Sequence, residues 1–180
     1  MNILEADFPA FELFKIDVRK RSPVLLPEVM TRELIHAFNK AKKYNNRQDT
    51  RQQKNKALVL QRDFAQKLHH LLAYHDFPAV PKAAIDASLS SCRDVFEQAA
   101  LSGDMLGMRY TLLCHAKGHG GAVSRAQVKH FLKIAQNDFE EMEPIWRMVF
   151  LNNSGMGSPG IINSGGSIPP KDDKGPSPQL

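Results

Sequence analysis

The sequence has few of the residues that usually mark a reaction site. Its 180 residues include two cysteines, Cys92 and Cys114, which are too few for the disulfide framework of a small secreted domain. Both fall in helical patterns, so we expect reduced thiols in or near the core of a cytoplasmic protein. No Cys-x2-Cys or His-x3-His unit has a second pair behind it, so the spacing predicts no zinc finger, and we expect neither a metal nor a cofactor.

Long apolar runs and an export signal are also missing. The longest apolar stretches span about four residues, as at 57–60, whereas a helix that crosses a bilayer needs about 20. Glu5 and Asp7 lie where a secretory signal needs a basic start and an apolar run. We therefore expect no membrane span, no cleaved export signal and a cytoplasmic location.

The composition that is present predicts a folded domain. Hydrophobic residues make up 42% of the chain and charged residues 24%, which is ordinary for a globular protein with a real core. The apolar periodicity predicts an all-α fold, a compact helical bundle of about five to six helices over residues 1–151. Residues 152–180 are dominated by Gly, Ser, Pro and Asn, so we expect a disordered tail there.

Five helices are predicted from Pro27 onward by apolar residues that recur every three or four positions. The first runs from Pro27 to about Lys43, and the second begins at a capping Asp49 or Thr50 and ends near His75. The residues expected on the buried faces are Val29, Leu34, Ile35 and Phe38 in the first helix, and Ala57, Leu60, Phe64, Leu68, Leu71 and His75 in the second.

Prolines, glycines and capping residues bound the other three helices. One helix covers 81–101 and stops at a glycine, and a shorter one follows a capping Asp104 and ends at Gly118, where a flexible loop begins. Ser124 and Gln127 match a capping box for the last helix, in which Pro144 predicts a kink. The expected buried residues are Ile85, Leu89, Cys92, Phe96 and Ala99, then Met105, Met108 and Leu112, then Val128, Phe131, Leu132, Ala135, Phe139, Met142, Trp146 and Val149.

The N-terminal 26 residues fit two patterns. Phe14, Ile16 and Val18 alternate with charged residues, which is typical of a half-buried strand, whereas a helix starting near Pro9 would place Phe11, Phe14 and Val18 on one face. A single strand has no partner elsewhere in the sequence. We expect a short helix or an extended arm.

The positive charge of the chain is concentrated in one segment. Between residues 40 and 62, eight Lys and Arg side chains face one carboxylate, so this segment carries about +7 while the whole chain carries +5. A localised positive field attracts polyanions, and each neutralised phosphate releases counterions. On a helical wheel, Arg51, Arg62 and His69 lie opposite the apolar stripe of their helix, so we expect them to be exposed. The predicted nucleic-acid-binding residues are Lys40, Lys42, Lys43, Arg47, Arg51, Lys54, Lys56 and Arg62.

Other groups of reactive side chains are weaker candidates. Cys114 and His119 could form half of a metal site, and Cys114 could pair with His75 or His130 as a nucleophile, but the sequence brings no third group to either arrangement. The ordinary interpretation places His75 in the core and His119 in an exposed loop. The acidic cluster that includes Asp138 is typical of a solvated helix face.

The sequence therefore predicts a non-enzymatic accessory protein that binds RNA or DNA electrostatically through a basic helical face, with no catalytic residues. The alternative is a helical adaptor or chaperone-like subunit that docks a protein partner within a larger complex. In either case we expect a homo-oligomer or a subunit of a complex, because the apolar stripe of the last helix is longer than the others.

Overall fold

The computed structural model describes residues 7–20, 23–45 and 50–138, which form helices without any strand. The helices are α1 (Pro9–Val18), α2 (Glu28–Asn45), α3 (Arg51–Tyr74), α4 (Lys82–Leu101), α5 (Met105–Lys117) and α6 (Arg125–Asp138). The predicted all-α bundle is confirmed. Among the described residues, no helix combines the length and apolar character that a bilayer crossing requires. The predicted tail, the domain boundary at residue 151 and the kink at Pro144 lie outside the described residues.

The N-terminal segment forms helix α1, so the helical pattern starting near Pro9 is correct and the strand pattern is wrong. Pro9 occupies the first turn, where its missing N–H costs nothing. Phe11 and Phe14 are fully buried, whereas Ile16 is 52% exposed, so the period is that of a helix and not of a strand. The apolar face of α1 packs on α2 and α4.

The ring of Phe64 in α3 lies at the centre of the core. Its centroid is 5.1 Å from that of Phe8, 5.1 Å from that of Phe11 and 5.0 Å from that of Phe38, each in an edge-to-face arrangement. Such pairs add about 0.5–1.5 kcal/mol each beyond simple burial. Three consecutive helices therefore meet on one side chain.

Helix α2 follows its predicted stripe except at the start. Leu34 and Phe38 are 1% exposed, but Val29 is 69% exposed, so the prediction for Val29 is wrong. The reason is angular, because five residues separate Val29 from Leu34 and this places them about 140° apart around a helix. Leu26 and Thr31 are buried at this end of α2 instead.

Helix α3 begins as predicted and ends one residue early. Thr50 caps it in a capping box with Gln53, and the five apolar residues of the predicted stripe are buried. The expected burial of His75 is wrong. This residue is the C-cap, its backbone is extended, and its side chain is exposed. The prediction extended the helical period of α3 to residue 75, but the helix ends at Tyr74.

Helices α4 and α5 meet at a tight turn. Gly103 has φ +86° and ends α4, and the Asp104 carboxylate accepts a hydrogen bond from the Gly107 N–H at 2.6 Å. Both boundary predictions are confirmed. Met108 is buried as expected, but Met105 is 50% exposed, contrary to expectation. It lies in the first turn of α5, at the corner where α4 has already ended.

Helix α6 starts beside the end of α5 and packs along it. The Ser124 N–H donates to the His115 carbonyl at 3.0 Å, and the Gln127 N–H donates to the Ser124 hydroxyl at 3.3 Å. Of the two hydrogen bonds of the predicted capping box, the one to the Ser124 hydroxyl is present. The second would use the Ser124 N–H, which instead donates to the His115 carbonyl. Val128, Phe131 and Ala135 complete a second core with residues of α4 and α5.

Gly107 allows the backbones of α4 and α5 to approach closely. A Cβ at this position would lie 2.6 Å from the Ala99 Cβ and 2.8 Å from the Ala100 nitrogen. Gly to Ala in a helix interior normally stabilises by about 1 kcal/mol. Here we expect Gly107→Ala to destabilise instead, by about 1–3 kcal/mol through overpacking, as measured by urea unfolding.

The matched control is Asn39→Ala at an exposed position of α2, which isolates helix propensity and should stabilise slightly. A gain in stability for Gly107→Ala would contradict the close packing of α4 on α5.

Candidate nucleic-acid interface

The α2–α3 hairpin brings the predicted basic residues to one end of the bundle. Helix α2 ends at Asn45 and α3 begins at Arg51, and the two helices pack against each other, so the last turns of α2 adjoin the first turns of α3. We name this group of six exposed cations the basic tip; it consists of Lys40, Lys42, Lys43, Arg51, Lys54 and Lys56. Arg47, the seventh predicted residue of this region, lies outside the described residues.

Tyr44 connects the two halves of the basic tip. The Lys56 Nζ lies 4.7 Å from the centroid of the Tyr44 ring, a cation–π contact between α3 and α2. A hydrogen bond from Lys56 and the charges of Lys56, Lys43 and Lys40 lower the pKa of the Tyr44 hydroxyl. Three cations from both helices therefore act on one group. Because Lys56 covers one face of the ring, Tyr44 is not an open platform for stacking a base.

Most cations of the basic tip lack a carboxylate partner among the described residues. Elsewhere in the bundle, Lys15, Arg32 and Lys67 pair with Glu12, Glu28 and Glu33. Within the described part of the chain, no ion pair involves Lys40, Lys43, Arg51, Lys54 or Lys56. The positive field at this end of the bundle is therefore not neutralised by the described carboxylates.

The helix dipoles favour two cations of the basic tip and oppose two others. Lys42 and Lys43 lie in the last turn of α2, where a cation stabilises the negative end of the helix by about 0.3–1 kcal/mol. Arg51 and Lys54 lie at the start of α3, whose first turn contains no acidic residue. A cation at the positive end of a helix is destabilising by a similar amount. The helix dipole therefore gives Lys42 and Lys43 a stabilising role in the fold, but not Arg51 and Lys54.

Arg62 does not belong to the exposed basic surface, so this part of the prediction is wrong. Its side chain is 8% exposed, and its Nε lies 3.4 Å from the Asp104 carboxylate at the α4–α5 turn. The neighbouring Asp63 is a second partner at 3.4 Å. The helical wheel considered only the apolar stripe of α3. In the structure, the α4–α5 turn covers the opposite face at Arg62. Arg62 acts in the structure as a tie between α3 and α5.

His69 is also buried, contrary to expectation. It has no exposed surface, its Nε2 lies 3.0 Å from the Nδ1 of His119, and the Cys114 Sγ is 3.7 Å away. The turn after α5 places His119 there, so this residue is half-buried and not an exposed loop residue. The same turn is packed, since a Cβ at Gly120 would collide with the Leu89 carbonyl. Burial, followed by the nearby His119 and His70, lowers the pKa of His69 to about 4.

The two thiols have properties of core groups. Burial raises the pKa of Cys114 to about 12 and raises that of Cys92 well above its ordinary value. Both thiols are therefore protonated near neutral pH, where thiolate is the reactive form. The proposed nucleophile partners His75 and His130 are exposed, and the imidazole beside Cys114 is that of His69. In the described ranges, no group of three or more His, Cys, Asp or Glu side chains is arranged to hold a metal ion.

Comparisons of the chain with protein-family models, with curated proteins and with solved structures found no match.

The buried His69 predicts a pH dependence of stability. Its pKa is about 4 in the folded chain and about 6.5 when unfolded, so the unfolded state binds the extra proton between these values. The contribution of neutral His69 to the free energy of unfolding is complete above pH 6.5. About 3 kcal/mol of it is lost as the pH falls from 6.5 toward 4. We expect His69→Gln to reduce this loss, as measured by urea unfolding from pH 7.5 to pH 4.

His36→Gln, at an exposed site on α2, is the control and should retain the wild-type dependence. Parallel curves for the wild type and His69→Gln would show that the His69 proton is not linked to folding.

Proposed function

We propose that this protein is a non-enzymatic accessory protein that binds nucleic acid electrostatically through the basic tip. The observation that carries the proposal is the position of Arg51 and Lys54. Both are exposed, have no described carboxylate partner and lie at the helix end where a cation is unfavourable for the fold. A negatively charged ligand relieves that repulsion. A phosphate backbone supplies the negative charge in a row, which suits cations from two adjoining helices.

The expected mode is contact with phosphates rather than recognition of bases. Lysine and arginine side chains neutralise phosphates and release counterions, which gives a steep dependence on salt and little sequence preference. If Lys40, Lys43, Arg51 and Lys54 each contact one phosphate, log K against log salt should have a slope of about −3 to −4. The covered ring of Tyr44 adds little stacking energy.

Charge reversal at the start of α3 separates binding from folding. We expect Arg51→Glu with Lys54→Glu to abolish binding or to reduce the salt slope by about 1.4 for single strands and 1.8 for duplex DNA. The same change should leave the thermal midpoint unchanged or raise it, because glutamate is favourable at a helix N-terminus. Fluorescence anisotropy with generic RNA and DNA across salt concentrations measures the first effect, and thermal unfolding the second.

The matched control is Lys82→Glu with Lys129→Glu, two exposed lysines outside the basic tip. This variant has the same net charge as Arg51→Glu with Lys54→Glu and should retain binding. A difference between the two variants therefore shows that the position of the charge matters, and not its total. Absence of binding by the wild type at low salt, or equal losses in the two variants, would contradict the proposal.

A groove between α2 and α3 favours an adaptor as the second candidate function. It encloses about 280 Å³, and its lining includes Met30, Leu34, Leu71 and Tyr110. Met30 is 39% exposed at its edge, so the apolar stripe of a partner's helix is the ligand that it fits. A protein partner captured equally well after nuclease treatment would support this function. Assembly into a homo-oligomer, which is compatible with either role, is tested by sedimentation velocity.

A further inference from the structure

A small groove lies between the first half of α3 and the turn from α4 to α5. It encloses about 170 Å³. Its lining residues are Asn55, Leu58, Val59, Ser102, Gly103 and Asp104. Pockets for drug-sized ligands are larger, about 300–1,000 Å³, so this groove has room for one planar ring system and not for a larger molecule. We name it the corner groove, because it lies at the corner where α4 turns into α5.

Apolar side chains form much of the surface at the corner groove. In its wall, Leu58 is partly buried and Val59 is 37% exposed. Leu101 and Met105, which precede and follow the turn residues in the chain, are 64% and 50% exposed. Single exposed apolar residues are common on protein surfaces, but an apolar group beside a concave site marks a place where a ligand is held.

Two cations of the basic tip lie one helical turn from the corner groove. Asn55 comes four residues after Arg51, and Leu58 comes four residues after Lys54. Residues at this spacing share a side of a helix, with their Cβ atoms about 5–6 Å apart. Positive charges without a described carboxylate partner therefore adjoin an apolar groove along α3.

The Asp104 carboxylate in the groove lining is partly compensated by its neighbours. Its Oδ2 lies 3.4 Å from the Arg62 Nε and accepts a hydrogen bond from the Gly107 N–H at 2.6 Å. Arg62 is shared with Asp63, so the compensation is not complete. The two cations one turn away outweigh what remains of this single charge, and an anion binds at their end of the groove.

An unpaired nucleotide has the complementary groups at the same separation. Its phosphate is an anion, its base is a flat ring system with two apolar faces, and one ribose lies between them. The Asn55 amide can both donate and accept a hydrogen bond, so it can meet the edge of any base. In a duplex the bases are paired and stacked, and bringing one out costs a few kcal/mol. A single strand offers its bases without that cost.

We propose that the corner groove holds the base of an unpaired nucleotide while Arg51 and Lys54 bind the adjoining phosphates, so that the ligand of the basic tip is a single strand. This inference rests on the proposed function, because it names the form of nucleic acid that the basic tip binds. Packing of the base favours no particular sequence. A purely electrostatic site favours the duplex, which has the higher charge density and releases more counterions per contact. A preference for single strands therefore requires contact with the bases.

Fluorescence anisotropy at one fixed salt concentration should compare three DNA probes with the same number of phosphates. These are a single strand of mixed sequence, an abasic strand of the same length, and a duplex. We expect the full-length protein to bind the single strand several-fold more tightly than the other two. Val59→Gln with Met105→Gln should lower the affinity for the single strand to that for the abasic strand, with unchanged circular dichroism. Ile16→Gln with Val29→Gln is the control, because these helical residues are 52% and 69% exposed outside the groove and the net charge is again unchanged.

Three outcomes overturn this inference. They are equal affinities of the wild type for the intact and the abasic strand, tighter binding of the duplex, and equal losses in the groove variant and its control. If all three probes bind with a steep salt dependence but without a preference, the basic tip binds phosphates alone, and the proposed function stands without a base in the groove. If none of the probes binds even at low salt, the proposed function itself is contradicted.

Discussion

The packing of three phenylalanines around Phe64 is the constraint on which the bundle depends. Phe8 and Phe11 come from the N-terminal segment, Phe38 from α2 and Phe64 from α3. The contact of Phe38 with Phe64 holds α2 against α3, so the last turns of α2 lie beside the first turns of α3. The position of the basic tip therefore depends on the packing of this aromatic core.

The cations at the start of α3 and the cation in its middle differ in what surrounds them. Arg62, in the interior of the helix, has lost most of its contact with water and is compensated by Asp104, which also caps α5. Arg51 and Lys54 remain hydrated and receive no such compensation from the described residues. A charge that is buried and paired serves the fold, whereas a charge that is exposed and opposes the helix dipole has no stabilising role there. The same helix thus carries cations of both kinds, and their sequence context does not distinguish them.

The sequence predicted the features that depend on one helix and missed those that depend on two. Caps such as Thr50 and Asp104 and the buried stripe of α3 follow from local spacing, and they were correct. The exposure expected for Arg62 and His69 was wrong because the α4–α5 turn and the turn after α5 cover the outer face of α3. The contact of His119 with His69 joins residues 50 positions apart, and no periodicity of either helix encodes it.

The enclosure of the two cysteines has a consequence for studying the motions of this protein. A thiolate attacks an electrophilic thiol reagent, and neither Cys92 nor Cys114 offers an accessible thiolate while the helices are packed around it. Alkylation therefore proceeds through conformations in which the helices have separated around them. The rate of alkylation therefore reports how often the helices separate. Cys92 and Cys114 serve as natural probes of this opening, without an introduced label.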